Sequence, residues 1–150
     1  MAYADFEFYV NEFFSDILTA DNAAKWLSLA SDELDALTFG RLSDAFPRTE
    51  ADAVRVRKAV CAVAEALYQI DNQRRAAAAH RTEDGTCRGA VASISSGRER
   101  ISFASGSASA FASAAADDGA RDRLIRGIAV RYLADVPDDN GVNLLYAGVI

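Results

Sequence analysis

Apolar positions recur along much of this chain at helical spacing. From Ala23 to Leu37 the residues Ala23, Trp26, Leu27, Ala30, Leu34 and Leu37 step by three and four. Lys25, Ser28, Asp32, Glu33 and Asp35 fall on the opposite side, which predicts an amphipathic helix. Asp21 is the expected N-cap, Gly40 the expected terminator and Trp26 the expected core anchor. After Pro47, Thr49 and Asp52 have capping-box spacing and predict a second helix over about 50–70, with extension to 80 left open. Its seam of Val56, Val60, Val63, Leu67 and Ile70 covers two heptads, which suits packing within a bundle better than a long coiled coil. A third helix is expected over about 119–134, capped by Asp117 or Asp118. Leu124, Ile125, Ile128, Tyr132 and Leu133 form its apolar face, and Pro137 closes it.

Between the second and third helices the pattern changes. Glycine, serine and alanine dominate an insertion of about 81–118, and Ile101 and Phe103 alternate at strand spacing. A β-hairpin is expected there, pairing 90–95 with 98–104 around Ser96-Gly97, followed by a flexible stretch over 104–116. A lone hairpin is marginal in water, so it calls for a helix, a neighbouring subunit or a partner to rest on. Both chain ends are apolar. Tyr3, Phe6, Phe8, Tyr9, Phe13 and Phe14 crowd the opening, which either packs over the helices or docks on a neighbour. The turn Asp138-Asp139-Asn140-Gly141 leads into an extended apolar tail over 142–150. The fold class is therefore mainly α: one domain, a small bundle of three or more helices, with the hairpin inserted and the tail appended.

Charge and composition narrow the function. The net charge is −6, which disfavours a DNA-wrapping surface. Residues 1–46 hold nine acids against Lys25 and Arg41, whereas residues 48–131 hold fourteen bases against ten acids. An acidic front and a mildly basic middle suit charge-complementary contact between neighbouring subunits. No run of apolar residues reaches membrane-spanning length and the N-terminus lacks a signal-peptide pattern, so no membrane association and synthesis in a reducing cytoplasm are expected.

Catalytic, cofactor and metal sites are not expected. The one histidine, His80, has no cysteine or carboxylate at ligand spacing, and Cys61 and Cys87 form no metal or disulfide framework. Asp117-Asp118 and Asp138-Asp139 suit caps and turns better than a calcium loop. Gly85, Gly89 and Gly97 lack the spacing and following lysine of a phosphate loop, and no serine sits in a nucleophile elbow.

The order of features resembles the head–tail connector (adaptor) proteins of long-tailed bacteriophages. The resemblance runs through the aromatic opening, the stretch Trp26 to Leu42, Val60-Cys-Ala-Val-Ala-Glu65, Ile94 to Phe103, Arg131-Tyr-Leu133 and Leu144 to Val149. The 94–103 segment departs from the family's usual wording, with Arg98, Glu99 and Arg100 at its centre. What the resemblance implies is a structural virion protein, made in the bacterial host and located at the head–tail interface. It would form a homo-oligomeric ring of about twelve copies between the portal and the tail or a tail-completion protein. Such a ring extends the channel through which DNA passes without sequence-specific binding. Under that reading, Ile94, Ile101 and Phe103 pack the hairpin on a neighbour or the portal, and Leu144, Leu145 and Tyr146 dock the tail; ordinary intramolecular packing is the competing role for each. The alternatives are a tail-completion protein of the virion, a bacterial helical regulatory module that binds a protein partner, and an enzyme of another kind.

Overall fold

A computed structural model describes residues 2–84 and 105–147 of the chain. Six α-helices occur among the described residues: α1 Phe6–Asn11, α2 Ala23–Leu37, α3 Arg41–Asp44, α4 Glu50–Asp84, α5 Ser105–Ala116 and α6 Asp118–Leu133. Strand pairing among them is confined to one antiparallel bridge between Pro137 and Asn143. The chain is mainly helical. The expected hairpin, with Ile94, Ile101 and Phe103, lies outside the described residues. The chain divides into two compact units, one of Met1–Tyr68 with Ile125–Ile150 and one of Gln69–Leu124.

The first unit is organised around α4. Val56, Val60, Val63 and Leu67 are buried as their spacing predicts, and so are Ala53, Ala59, Cys61, Ala64 and Ala66 on other sides of the helix. Small side chains let neighbouring backbones approach closely, so an alanine-rich helix can be covered on more than one face. Trp26 of α2 meets Tyr68 edge-on, with ring centroids 5.9 Å apart. Leu27, Ala30 and Leu34 continue the buried stripe of α2, while Ile125, Ala129 and Leu133 of α6 supply another wall of the core. The aromatic opening belongs to this unit. Tyr9 is fully buried, Tyr3 stacks on Phe46 at 5.4 Å, and the Tyr3 hydroxyl donates to Asp35 at 2.5 Å.

Helix ends follow local chemistry with small displacements from expectation. α2 begins one residue later than an Asp21 cap would place it, with Asn22 as N-cap. Asn22 uses its side-chain oxygen to accept from the Thr19 N–H instead of capping the helix. At the other end the residue directly after the Thr38 C-cap is Phe39, which is left-handed with φ of 58°. The Gly40 N–H reaches back to the Asp35 carbonyl at 2.8 Å, and the Phe39 N–H to Ala36 at 3.3 Å, a Schellman closure. Gly40 is also left-handed, at φ 79°, and turns the chain into α3. α4 starts at Glu50, where the Thr49 carbonyl accepts the Ala53 N–H, and runs to Asp84, beyond the expected end. Asp117 caps α6 by accepting the Ala120 N–H at 2.9 Å.

In the second unit the expectation of a flexible stretch over 104–116 is corrected, because Ser105–Ala116 is the helix α5. Alanine has the strongest helix preference, and serine is only mildly unfavourable inside a helix. Burial of Ala114 and the bond from Arg74 Nε to the Ala115 carbonyl at 3.3 Å tie α5 to the end of α4. Polar composition alone did not reveal this support.

After α6 the chain turns back. The Asp138 carboxylate accepts the N–H groups of Asn140 (2.8 Å) and Val142 (3.0 Å), and Gly141 adopts φ 83°. The expected turn therefore forms, with the Asp138 side chain acting as its brace.

Candidate functional site

The C-terminal residues singled out from the sequence separate into different environments. Leu144 is fully buried and its N–H donates to the Val136 carbonyl at 2.9 Å, so it is part of the core. Leu145 is half-buried. Tyr146 is 51% exposed. Arg41 binds this residue twice, donating to the Tyr146 carbonyl at 2.6 Å and placing its guanidinium 5.7 Å from the ring centroid. Phe39, two positions before Arg41, is 57% exposed. Exposed Phe39 thus lies two positions along the chain from the arginine that holds Tyr146.

A second patch surrounds the end of α1. Val10, Phe14 and Ile17 are exposed there, Phe14 by 82%. Beneath it lies a polar anchor. The Tyr9 hydroxyl donates to Glu65 Oε1 at 2.6 Å and accepts the Leu18 N–H at 2.9 Å. Ser15 Oγ donates to the same carboxylate oxygen. These bonds fasten the loop from Glu12 to Leu18 onto α4. Burial, and then the bond to Glu65, raise the Tyr9 phenol above its ordinary value and keep it protonated. Burial, with Glu65 and Asp5 adding to it, pushes the Cys61 thiol up to about 12. Sequence reasoning missed this anchor because its members lie far apart in the chain. The one available signal was Glu65 itself, a carboxylate inside an otherwise apolar run.

Phe14 and Phe39 share a property. Both have φ of 58°. The left-handed region costs a residue with a Cβ roughly 1–2 kcal/mol, and glycine avoids that cost. Each of these exposed positions therefore carries a large apolar side chain on backbone better suited to glycine. The second patch is fastened to α4 at Glu65. The C-terminal segment meets the start of α4, where Arg48 pairs with Asp139 and Arg55 donates to the Ala134 carbonyl at 2.8 Å. Ten residues of helix, about 15 Å, separate Arg55 from Glu65.

Among the described residues no group of three His, Cys, Asp or Glu side chains is placed to hold a metal ion. No helix among them is long and apolar enough to cross a membrane. Comparisons with family models, curated proteins and solved structures return no match.

Proposed function

We propose that this chain is a structural subunit that assembles with copies of itself into a ring joining the portal of a long-tailed phage capsid to its tail. The single observation that carries assembly is the pairing of exposure with backbone strain at Phe14 and Phe39. A backbone outlier that presents a large apolar side chain to solvent is reasonably read as a feature kept for contact. Two unlike patches on one unit suit a heterologous contact, in which one surface of a subunit meets a different surface of the next. Such contacts close into rings when the rotation between subunits permits. The likeness of the sequence to head–tail connectors supplies the location and the partners. Within this reading Phe39 and Tyr146 belong to the docking surface for portal or tail, and Leu144 holds the segment that presents Tyr146.

The test is the mass of the full chain by light scattering behind a sizing column, alone and with a portal ring. A free ring, or a monomer that loads onto the portal in many copies, is expected. A monomer or dimer that ignores the portal overturns the reading. Phe14→Gly and Phe39→Gly should leave stability unchanged or raised while weakening assembly or portal loading. A loss of folding in both would return these side chains to a structural role.

A further inference from the structure

Two surfaces of the first unit are complementary in charge and alike in having an apolar centre. On α1 and the loop after it, Val10 (42% exposed), Phe14 (82%) and Ile17 (38%) form the apolar part of one surface. Glu7, Glu12 and Asp16 alternate with them along the same stretch of chain, all exposed, and none has a cation within ion-pair distance among the described residues. Beside these lies an open cavity of about 470 Å³, lined in part by Tyr3, Glu7, Phe8, Asn11, Glu12 and Arg57. Arg57, the one base in that lining, already faces Glu50 at 3.5 Å. Arg57 also lies over the Phe8 ring, 6.0 Å from its centroid, so what the cavity offers an incoming guanidinium is the carboxylates of Glu7 and Glu12.

The second surface is on α6. Arg126, Gly127, Val130 and Arg131 are all exposed, and the two four-residue steps from 126 to 130 and from 127 to 131 put them on one side of the helix. Val130 is 38% exposed. Neither Arg126 nor Arg131 has a carboxylate within ion-pair distance among the described residues. A Cβ placed on Gly127 would meet nothing within 4 Å, so the helix backbone is open to close approach between the two arginines.

We infer that the Arg126–Val130–Arg131 stripe of one copy seats on the Val10–Phe14–Ile17 surface of a second copy, with its guanidinium groups against Glu7, Glu12 and Asp16. The inference rests on the ring reading and names the faces that would build the ring. An apolar centre inside a charged rim is the usual anatomy of a specific interface. The complementary rims fix orientation and disfavour pairing of either face with itself, since acid would meet acid or arginine would meet arginine. Because the two faces differ, each copy still offers one of each after pairing, and the contact propagates around a ring.

The full chain is compared with E7R/E12R, R126E/R131E and the fourfold charge-swapped variant, each checked for helix content by circular dichroism. Assembly is measured free in solution at up to about 1 mM and as copies loaded on a portal ring. Each single-face variant should assemble at least about tenfold more weakly than the unaltered chain, and the fourfold variant should recover much of the loss. Raising salt from about 50 to about 500 mM should weaken the unaltered contact. Single-face variants that assemble as well as the unaltered chain overturn these faces and leave the ring standing. Failure of the fourfold variant to recover overturns the pairing of the two faces. An unaltered chain that assembles in neither setting overturns the ring and the inference together.

Discussion

Tyr9→Phe isolates the anchor under the Phe14 loop. The substitution keeps the ring in a fully buried site and removes only the hydroxyl, so it opens no large cavity. Two bonds disappear. The Leu18 N–H, in a buried position, loses its acceptor, and Glu65 loses one of its two hydroxyl donors. An orphaned buried amide costs about 1–3 kcal/mol, and the bond to a carboxylate adds about 1 kcal/mol once Ser15 is left to serve it alone. The expected loss is about 2–4 kcal/mol. For a chain of this length that lowers the unfolding temperature by roughly 5–15 °C. Urea unfolding reports the total, and exchange of the Leu18 amide with deuterium reports the local part. That amide should lose protection more than the amides of the α2 core. Ser15→Ala is the comparison, because it keeps the Tyr9 bonds to Glu65 and Leu18 and should cost less than Tyr9→Phe, leaving no buried amide orphaned. A Tyr9→Phe protein within about 0.5 kcal/mol of the unaltered chain, with Leu18 still protected, would refute the anchoring role.

Leu144→Ala should cost about 2–5 kcal/mol in denaturant unfolding because the side chain is fully buried, whereas Tyr146→Ala, half exposed, should cost less than about 1 kcal/mol and show its effect in portal or tail binding. Alkaline pH should destabilise the fold. Cys61 has an ordinary value of 9.0 that folding raises, and Tyr3 and Tyr9 have ordinary values of 10.0 that folding also raises, so the native state favours the protonated forms. That stabilisation is complete below about pH 9, and falls as the unfolded chain ionises first, through the higher folded values; Cys61→Ala should remove the earliest part of the decline, measured by thermal melts across the range. Gly127→Ala on the open side of α6 should raise stability by about 0.5–1 kcal/mol, through better helix preference with no new clash, as read by urea midpoint.

The three principal helical stretches were legible because their information is local. The stripe from Ala23 to Leu37 and the seam from Val56 to Ile70 state which face turns inward, and Leu27, Leu34, Val56 and Ile70 are buried accordingly. The aspartate cap before α6 and the Asp-Asp-Asn-Gly turn were equally readable, since each uses side chains within four residues of the backbone it serves. Tertiary structure decided the rest. It made a helix of the serine- and alanine-rich segment Ser105–Ala116, whose weak periodicity carries no strong local signal. It put Leu144 in the core and left Tyr146 outside, although both belong to the same apolar run. Tertiary structure also joined Tyr9 and Ser15 to Glu65 across fifty or more positions, and placed Phe14 and Phe39 on left-handed backbone in solvent. Periodicity reports the direction a side chain takes from its own helix. Which distant group meets it, and whether any does, depends on packing between elements, a non-local quantity that no short window of sequence contains.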